Sequence, residues 1–363
     1  MKISEPNVTA PYAYMPQLVA SDALHPTACP ICSSDSLKTL HCFTAKQAAK
    51  AFLPVHRDEQ RHTELVRNIE GLWKGSRCEV VECHACRFTF PIPYVAGDKE
   101  FYELAYGVPS YPRHRWEYDR AVEFMRFLLP SDSLRILELG AGVGQFIKTL
   151  LRIPAFHPDR IVATDFSSHA VKELRKLGVD AQPASVFELA ACPGNRASFD
   201  AVCAFQSIEH MANVTEVVLA LKAMVKPSGL VILSVPHGPA IEFNERHLSC
   251  FDMPPNHVGR WYRETFAALC ARTGMELVAH EIEPRRRWRL LREVMERYVH
   301  GASTSKPRSL AARAQAVQNR AARRVLSAVI GSVALVRLLS SLLSIDSGYS
   351  QLAILRIPQL RGG

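Results

Sequence analysis

No stretch of about 20 uninterrupted apolar residues, the length a membrane-spanning helix needs, occurs in this 363-residue chain. The nearest approach, Val325 to Val336, is too short and runs into Arg337. Met1 to Ala20 has no basic segment leading into an apolar one, so no signal peptide is read and the expected compartment is the cytoplasm. Without an export signal, the ten cysteines do not describe a disulfide framework; in a chain this long they point to thiols and metal ligands. The sequon at Asn7 then carries no meaning. Acidic residues are scarce in one region only. From Arg285 to Arg337, twelve arginines and one lysine face Glu293 and Glu296, a net +11 in a chain whose total is +9, which leaves the remainder near −2. One basic segment carries the whole excess. The rest of the composition, 48% hydrophobic and 22% charged, is ordinary for a soluble globular protein, and the length allows two or three domains with a sizeable core.

The most informative stretch is Ile136 to Phe146. An apolar run, Leu134 to Leu139, reads as a buried strand and stops at Gly140, Gly142 and Gly144. Gln145 to Leu151 then reads as a helix. Such a turn needs residues that tolerate positive φ and let a ligand approach the backbone, which glycine does. The helix start leaves free N–H groups pointing into the loop. At the carboxyl end of a parallel strand, this is where open α/β sheets bind nucleotides. The spacing is not that of the dinucleotide fingerprint, because the third glycine comes one residue early. A Y-x-x-x-K pair is also missing where a nicotinamide-dependent sugar enzyme would carry it. Glu138 sits inside the strand end. A second apolar run, Arg160 to Thr164, ends in Asp165 and Phe166; a carboxylate there can accept hydrogen bonds from ribose hydroxyls. The form E-L-G-A-G-V-G with a following acid resembles the first motif and the ribose-binding acid of class I S-adenosylmethionine (SAM) methyltransferases.

That resemblance implies a cofactor site at Glu138, Gly140, Ala141, Gly142, Gly144, Asp165 and Phe166. It extends along the chain in α/β alternation. Ser167 is a good N-cap for the next helix, which Gly178 closes. Val179 to Ala184 is a short third strand. Relatives often have an acid after it that meets the adenine; here Ser185 or Gln182 stands instead. Phe199 to Phe205 is a fourth strand leading into Gln206-Ser-Ile-Glu-His210, similar to the family's fourth motif, with Gln206 and Ser207 expected at the cofactor. Asn213 with Glu216 reads as a capping pair. Lys226-Pro-Ser-Gly229 ends that helix, and Leu230 to Val235 is the fifth strand. Arg263 to Thr273 reads as a helix stopped by Gly274, and Met275 to Glu283 as a sixth strand. In the class I fold the last strand, here Tyr349 to Ile357, lies antiparallel beside the sixth.

Two histidines are candidate catalytic bases. His210 follows the fourth strand and could face the methyl group, or it could only organise the loop. His257 lies in Pro254-Pro-Asn-His257-Val-Gly-Arg-Trp261, within a long proline- and histidine-rich loop of the kind that usually carries function. His237 and His247 are weaker candidates.

Upstream, Cys29-Pro-Ile-Cys32 and Cys83-His-Ala-Cys86 can each offer two thiolates to one tetrahedral zinc. The gap of fifty residues between them is wide, and free buried thiols or a redox pair are the other readings. With four thiolates such a zinc is structural and leaves no open position. Cys78, His41, Cys42 and His84 are nearby spare ligands. The insert from Thr44 to Gly71 is a loop or helix excursion. Phe101 to Gly107 and Tyr111 to Asp119 form an aromatic, charged link that either packs between domains or covers the cofactor. Two C-x-x-C pairs, an aromatic linker and the glycine motif together resemble bacterial methyltransferases with an N-terminal zinc module.

The expected fold class is α/β: a class I (Rossmann-like) methyltransferase sheet with a small N-terminal zinc-binding module and a helical insertion before the last strand. The expected division is a tail (1–28), the zinc module (29–97), the SAM-binding domain (98–284), the basic insertion (285–345), and the last strand with its tail (346–363). The expected function is SAM-dependent methyl transfer to a small-molecule acceptor. Sugars, nucleotide sugars, lipid-linked compounds or natural-product scaffolds are what the resemblance suggests. The alternative is a zinc-containing protein of this fold that binds SAM without turnover. In the insertion, Trp288, Leu291, Met295 and Tyr298 recur at helical spacing, and Val325 to Leu343 forms a second apolar helical pattern. A helical lid is one reading, and peripheral contact of 285–337 with an anionic membrane the other. Nucleic acid is not expected, since no binding motif accompanies the charge.

Overall fold

The computed structural model describes residues 25–106, 114–129, 131, 133–247, 252–284, 308–317, 319–337 and 347–359, with 295, 298, 299 and 302 besides. Tyr111 to Arg113, Arg285 to Val294 with Trp288 and Leu291, and Leu338 to Leu343 lie outside them, as does the side chain of His247.

The first unit is a three-stranded antiparallel sheet of β1 (Leu37–Thr44), β2 (Arg77–Cys83) and β3 (Thr89–Ile92), in that order. The insert between β1 and β2 is helical: α1 (Ala45–Phe52) and α2 (Glu59–Trp73). Thr44 and Gln47 form a reciprocal capping box at the start of α1, and Asp58 caps α2 by accepting from Arg61 N–H, so each helix start has its exposed donors satisfied. With α3 (Lys99–Tyr106) they share a small core of Ala48, Leu65, Ile69, Phe101 and Tyr102. Phe101 and Tyr102 therefore pack on the helices of the first unit.

After α4 (Trp116–Leu128) comes the α/β region. Its strands are β4 (Ile136–Leu139), β5 (Ile161–Thr164), β6 (Asp180–Gln182), β7 (Phe199–Phe205), β8 (Val225–Pro236), β9 (Glu276–Pro284) and β10 (Ser347–Arg356). They form one seven-stranded sheet in the order β6-β5-β4-β7-β8-β10-β9. The first five are parallel neighbours, and β10 runs antiparallel between β8 and β9. The helices between are α5 (Gln145–Leu150), α6 (Ser168–Arg175), α7 (Val186–Ala191), α8 (Val214–Met224), α9 (Gly238–His247) and α10 (Arg263–Thr273). Two further helices, α11 (Leu310–Gln315) and α12 (Arg320–Arg337), precede β10. The seven-strand mixed sheet, its reversed last strand and the N-terminal cysteine cluster are those of the expected class. The capping pair expected at Asn213 is not formed. Asn213 adopts φ 56° and makes no side-chain cap; it serves as a left-handed turn residue, which asparagine tolerates.

Strand periodicity divides the core. Leu137, Leu139, Val202, Ala204, Val231 and Leu233 face one side, and Ile136, Ala201, Cys203, Leu230 and Ile232 face the other, because successive side chains alternate. The first side also takes in Cys29, Ile31, Cys83, Cys86, Phe88 and Phe90 from the N-terminal sheet. Trp261 joins the two, edge-on to Phe88 at 5.2 Å and stacked on Phe266 at 5.0 Å. Burying each such large side chain contributes roughly 1.5–3 kcal/mol. The cysteine knuckles are further tied down by hydrogen bonds from Thr215 Oγ1 to Pro30 O (2.6 Å), Arg272 Nη1 to Ile31 O (3.1 Å) and Thr265 Oγ1 to Cys86 O (2.8 Å). The knuckle unit and the seven-stranded sheet thus share one hydrophobic core.

Candidate active site at the glycine turn

The carboxyl ends of β4, β5 and β7 open on a cleft. Its floor is Glu138 to Val143 with Gln145. Thr164, Asp165 and Phe166 line one wall, and Phe205, Gln206 and Ser207 the other. His210 and Met211 close the far end, while Arg115 and Tyr118 reach in from the N-terminal end of α4.

The turn works because of its backbone. Gly140 has φ +69°, and a Cβ there would come within 3.1 Å of Ser207 Cβ. Gly144 also has positive φ, but its surroundings differ. A Cβ would press on Leu177 at 2.7 Å and Leu174 at 2.9 Å. Gly144 does not line the cleft; it lets α5 start close against the end of α6. Asp165 is the hub. Its Oδ2 accepts from Gly142 N–H at 2.9 Å and its Oδ1 from Ser167 N–H at 2.9 Å. Burial pushes its carboxyl up to about 6, against these two hydrogen bonds, which lower it. Glu138 is 3% exposed, and its Oε2 meets no hydrogen-bond donor among the described residues. Burial, and then the neighbouring Asp165, hold its carboxyl well above the usual range. Two carboxyls in a cleft, one with an unanswered oxygen, fit a ligand that brings hydroxyl or amino donors.

A buried network sets the opposite wall. Gln206 takes φ 50°, an uncommon conformation for this residue type. Its Nε2 donates to Ser234 Oγ at 3.0 Å and lies 3.4 Å from both Glu117 Oε1 and Ser350 Oγ. Glu117 is 1% exposed; burial raises its pKa, opposed by Arg115, whose Nη1 is 3.6 Å away. Sequence reasoning missed Arg115, Glu117 and Tyr118 as site residues. Their signal was the aromatic, charged run that leads into the first turn of α4.

The candidate residues do not all meet. Glu138, Gly140, Ala141, Gly142, Asp165, Phe166, Gln206 and His210 line the cleft; Gly144, Ser185 and His257 do not. Ser185 is the N-cap of α7, in a capping box with Glu188, and Gln182 donates to Asp180. Both residues put forward for the adenine contact are thus used locally. His210 is buried in a short 3-10 turn, Ile208–His210. Its Nδ1 is 2.8 Å from Asn256 O and 3.1 Å from Tyr102 Oη. Burial, then His257, hold its pKa well below the ordinary histidine value. It is therefore neutral, the form that can accept a proton, but with low affinity for one. His257 stands behind it, ring to ring at 4.6 Å, with Nδ1 3.1 Å from Asp252 Oδ1. Glu209 stands beside them, its carboxyl pushed up to about 7 by burial despite His257. Asp252 gave no signal in sequence. His237 is held by burial at about 4.

A second constellation is far simpler. The Sγ atoms of Cys29, Cys32, Cys83 and Cys86 all lie within 4.8 Å of one another. Cys29 and Cys86 approach to 3.6 Å and Cys32 and Cys83 to 3.5 Å. A tetrahedral zinc with Zn–S near 2.3 Å needs sulfurs at about 3.8 Å, so these four side chains fit one. Ile31 N–H points at Cys29 Sγ at 3.4 Å, and Cys86 shares its proton with Cys29, drawing Cys29 down to about 6.

Residues 113–280 match the family model described as a methyltransferase domain. Among curated proteins, the chain is 32% identical over 108 residues to the ubiquinone biosynthesis O-methyltransferase of Methylocella silvestris, covering 28% of this chain and 40% of the relative. It is 30% identical over 132 residues to the protein of the same name from Xanthomonas axonopodis pv. citri, covering 35% of this chain and 52% of the relative. The chain thus spans about half the length, or less, of these relatives. Among solved structures, a SAM-dependent methyltransferase from Archaeoglobus fulgidus aligns with TM-score 0.42 and 13% identity over 66% of this chain and 94% of that one. Residues 113–280 of the chain are thus a methyltransferase domain by this match. The chain carries, beside that domain, a four-cysteine cluster of zinc-binding type.

Proposed function

We propose that the protein transfers a methyl group from SAM to a hydroxyl-bearing small molecule. The observation that carries this reading is the Gly142–Asp165 hydrogen bond at the head of the cleft. It fixes a carboxylate at the end of β5 beside a glycine turn at the end of β4. When bound, SAM supplies a sulfonium methyl open to in-line attack. Asp165 would accept from the ribose hydroxyls while the glycine turn admits the cofactor against the backbone. Arg115, tied to Glu117 at 3.6 Å, places a positive charge at the mouth. Tyr118 stands edge-on to Phe205 at 5.1 Å, an apolar wall that excludes water. His210 and Met211 form the wall where the acceptor enters. Holding donor and acceptor close and aligned supplies much of the rate. The names of the two curated relatives favour an oxygen acceptor on a small molecule. The four cysteines would hold one structural zinc.

The basic helical segment belongs to the same proposal. Among the described residues, no helix is long and apolar enough to cross a membrane. Helix α12 nonetheless presents Val325, Val329, Val333 and Val336 to solvent, a single stripe at i, i+4, i+8 and i+11, with Arg320 and Arg324 exposed on its polar side. We assign this surface to an anionic lipid headgroup layer.

The deciding experiment for turnover is incubation with SAM and a panel of phenolic, sugar and lipid-linked hydroxyl compounds, reading S-adenosylhomocysteine. Product formation above the background without acceptor supports transfer. Tight SAM binding with no product across the panel would favour a protein that binds but does not turn over.

A further inference from the structure

We propose that Glu209, His210 and His257 form a second, separate metal site, for a divalent cation of the zinc type, in the far wall of the cleft. One ligand atom from each lies within 4.8 Å of the other two. The set is chemically coherent, since two imidazoles and one glutamate form the protein half of a catalytic zinc site, which keeps a fourth position open.

Three observations go beyond proximity. The first concerns the ring nitrogens. His210 Nδ1 is 2.8 Å from the carbonyl oxygen of Asn256, so that nitrogen carries the proton and donates. His257 Nδ1 lies 3.1 Å from Asp252 Oδ1, within ion-pair distance but with no hydrogen bond made among the described residues. A carbonyl or carboxylate on one ring nitrogen is how metal-binding histidines are held, with the other nitrogen turned to the ion. His210 Nε2 faces Glu209 Oε1 at 4.0 Å, too far for a hydrogen bond and with no proton to give. The second observation is Glu209 itself. It is 1% exposed, and its Oε2 meets no hydrogen-bond donor among the described residues. A buried carboxylate with one unanswered oxygen beside two imidazoles is short of a positive partner, which a cation supplies. The third is support from outside the cluster. Tyr349 Oη bonds to Asp252 Oδ1, and Tyr102 from α3 reaches His210 Nδ1. The orienting groups are thus themselves held, by the last strand on one side and by the N-terminal unit on the other.

His210 also lines the cleft, so the ion would sit at the wall where the acceptor enters. Its role there rests on the methyl-transfer reading, although its binding does not. An acceptor hydroxyl bound to the cation would release its proton to water more easily. The oxygen then forms the new O–CH3 bond as the S–CH3 bond breaks, leaving a neutral thioether.

The test needs no substrate and no SAM. The full-length protein is loaded with one equivalent of Zn2+ to fill the four-cysteine cluster, then titrated with Co2+ and followed by visible absorption and elemental analysis. One further ion per chain is expected, with ligand-field bands and without the thiolate charge-transfer absorption that Co2+ at cysteines would give. His257→Ala and Glu209→Gln should weaken this uptake at least tenfold while the first equivalent of zinc stays bound. Asp252→Asn, which touches no ligand atom of the ion, should weaken it by about 10–100-fold. Circular dichroism and the melting curve of each variant show that it is folded; should His257→Ala not fold, Asp252→Asn gives the answer. No Co2+ uptake beyond the filled cysteine site, or equal uptake by the wild type and folded variants, overturns the proposal. Loss of methyl transfer with intact Co2+ binding would fail the transfer reading alone.

Discussion

The backbone N–H of Gly142 donates to Asp165 Oδ2 at 2.9 Å, so one carboxylate ties the loop after β4 to the end of β5. Its other oxygen is held by Ser167 N–H. The hub is preorganised before any ligand arrives. Asp165→Ala should therefore lower SAM affinity by one to two orders of magnitude, about 1.5–3 kcal/mol for hydrogen bonds to a charged group. Gly142→Val should do at least as much, since it adds a side chain to a backbone at φ 53°. Calorimetry checks both; unchanged affinity in the pair would rule out this placement of the ribose.

The same carboxyl gives a pH dependence with opposite signs for stability and binding. Burial raises Asp165 from 3.8 to about 6, so between these values the folded protein holds a proton that the unfolded chain has released. The stabilising contribution is full below pH 3.8 and is lost as pH rises through about 6. Binding runs the other way, because only the ionised group accepts two ribose hydroxyls. SAM affinity should fall by up to tenfold per unit below about pH 6. Asp165→Asn should flatten that slope. A slope that survives in Asp165→Asn would assign the titration to another group.

The metal in the four-cysteine cluster should be lost with any one thiolate. Cys83 is fully buried in the core that also holds Phe88, Phe90 and the sheet residues Val231 and Leu233. Cys83→Ser should lower zinc content from one equivalent to a small fraction in protein kept free of added metal. It should also destabilise the protein by about 4 kcal/mol, the scale of a lost structural metal. Full zinc content in Cys83→Ser would mean that other ligands hold it.

Trp261 offers an independent check that the knuckles and the catalytic sheet are one cooperative unit. It is fully buried and touches both Phe88 and Phe266. Trp261→Ala should cost about 3–5 kcal/mol, and it should lower the melting temperature and loosen the zinc together. Two separate melting transitions, with zinc release unaffected, would show that the units unfold independently.

Most of the α/β frame was legible because it is locally encoded. The run before Gly140 is apolar and the glycines interrupt it, while Ser167 caps α6 through Ala170 N–H as its position suggested. Gly274 stops α10 at φ +64°, again a local matter. The cysteine pairs were legible because C-x-x-C is a local knuckle, although only the fold brings the two pairs together. What the sequence did not show, Ser185 apart, depended on neighbours distant in sequence. Gly144 has the look of a cofactor glycine, yet it is needed against Leu174 and Leu177. Ser185 is taken by Glu188 of its own helix, which the capping pattern S-x-x-E could have shown. Asp252 and Tyr102 meet the histidines only through tertiary packing, and no local pattern marks either one.

The basic helix yields the last prediction. Val325, Val329 and Val336 are 64%, 63% and 80% exposed, values at odds with a helix whose apolar side packs on the protein. Arg320 and Arg324 lie on the same helix. Each arginine near an anionic surface is worth about 1 kcal/mol, and insertion of the valine stripe adds an apolar term that does not depend on salt. The charge term does, since exposed charges act over only about 8 Å at physiological ionic strength. Sedimentation should thus show binding to vesicles containing anionic lipid, weak or no binding to neutral ones, and a loss of several-fold between low and physiological salt. Val329→Asp should abolish binding, because it puts a charge in the middle of the stripe, whereas Arg320→Ser with Arg324→Ser should reduce it and flatten its salt dependence. Both sets of variants should keep SAM binding, as neither touches the cleft. Equal sedimentation with neutral and anionic vesicles, or none with either at low salt, would leave the stripe without a lipid partner.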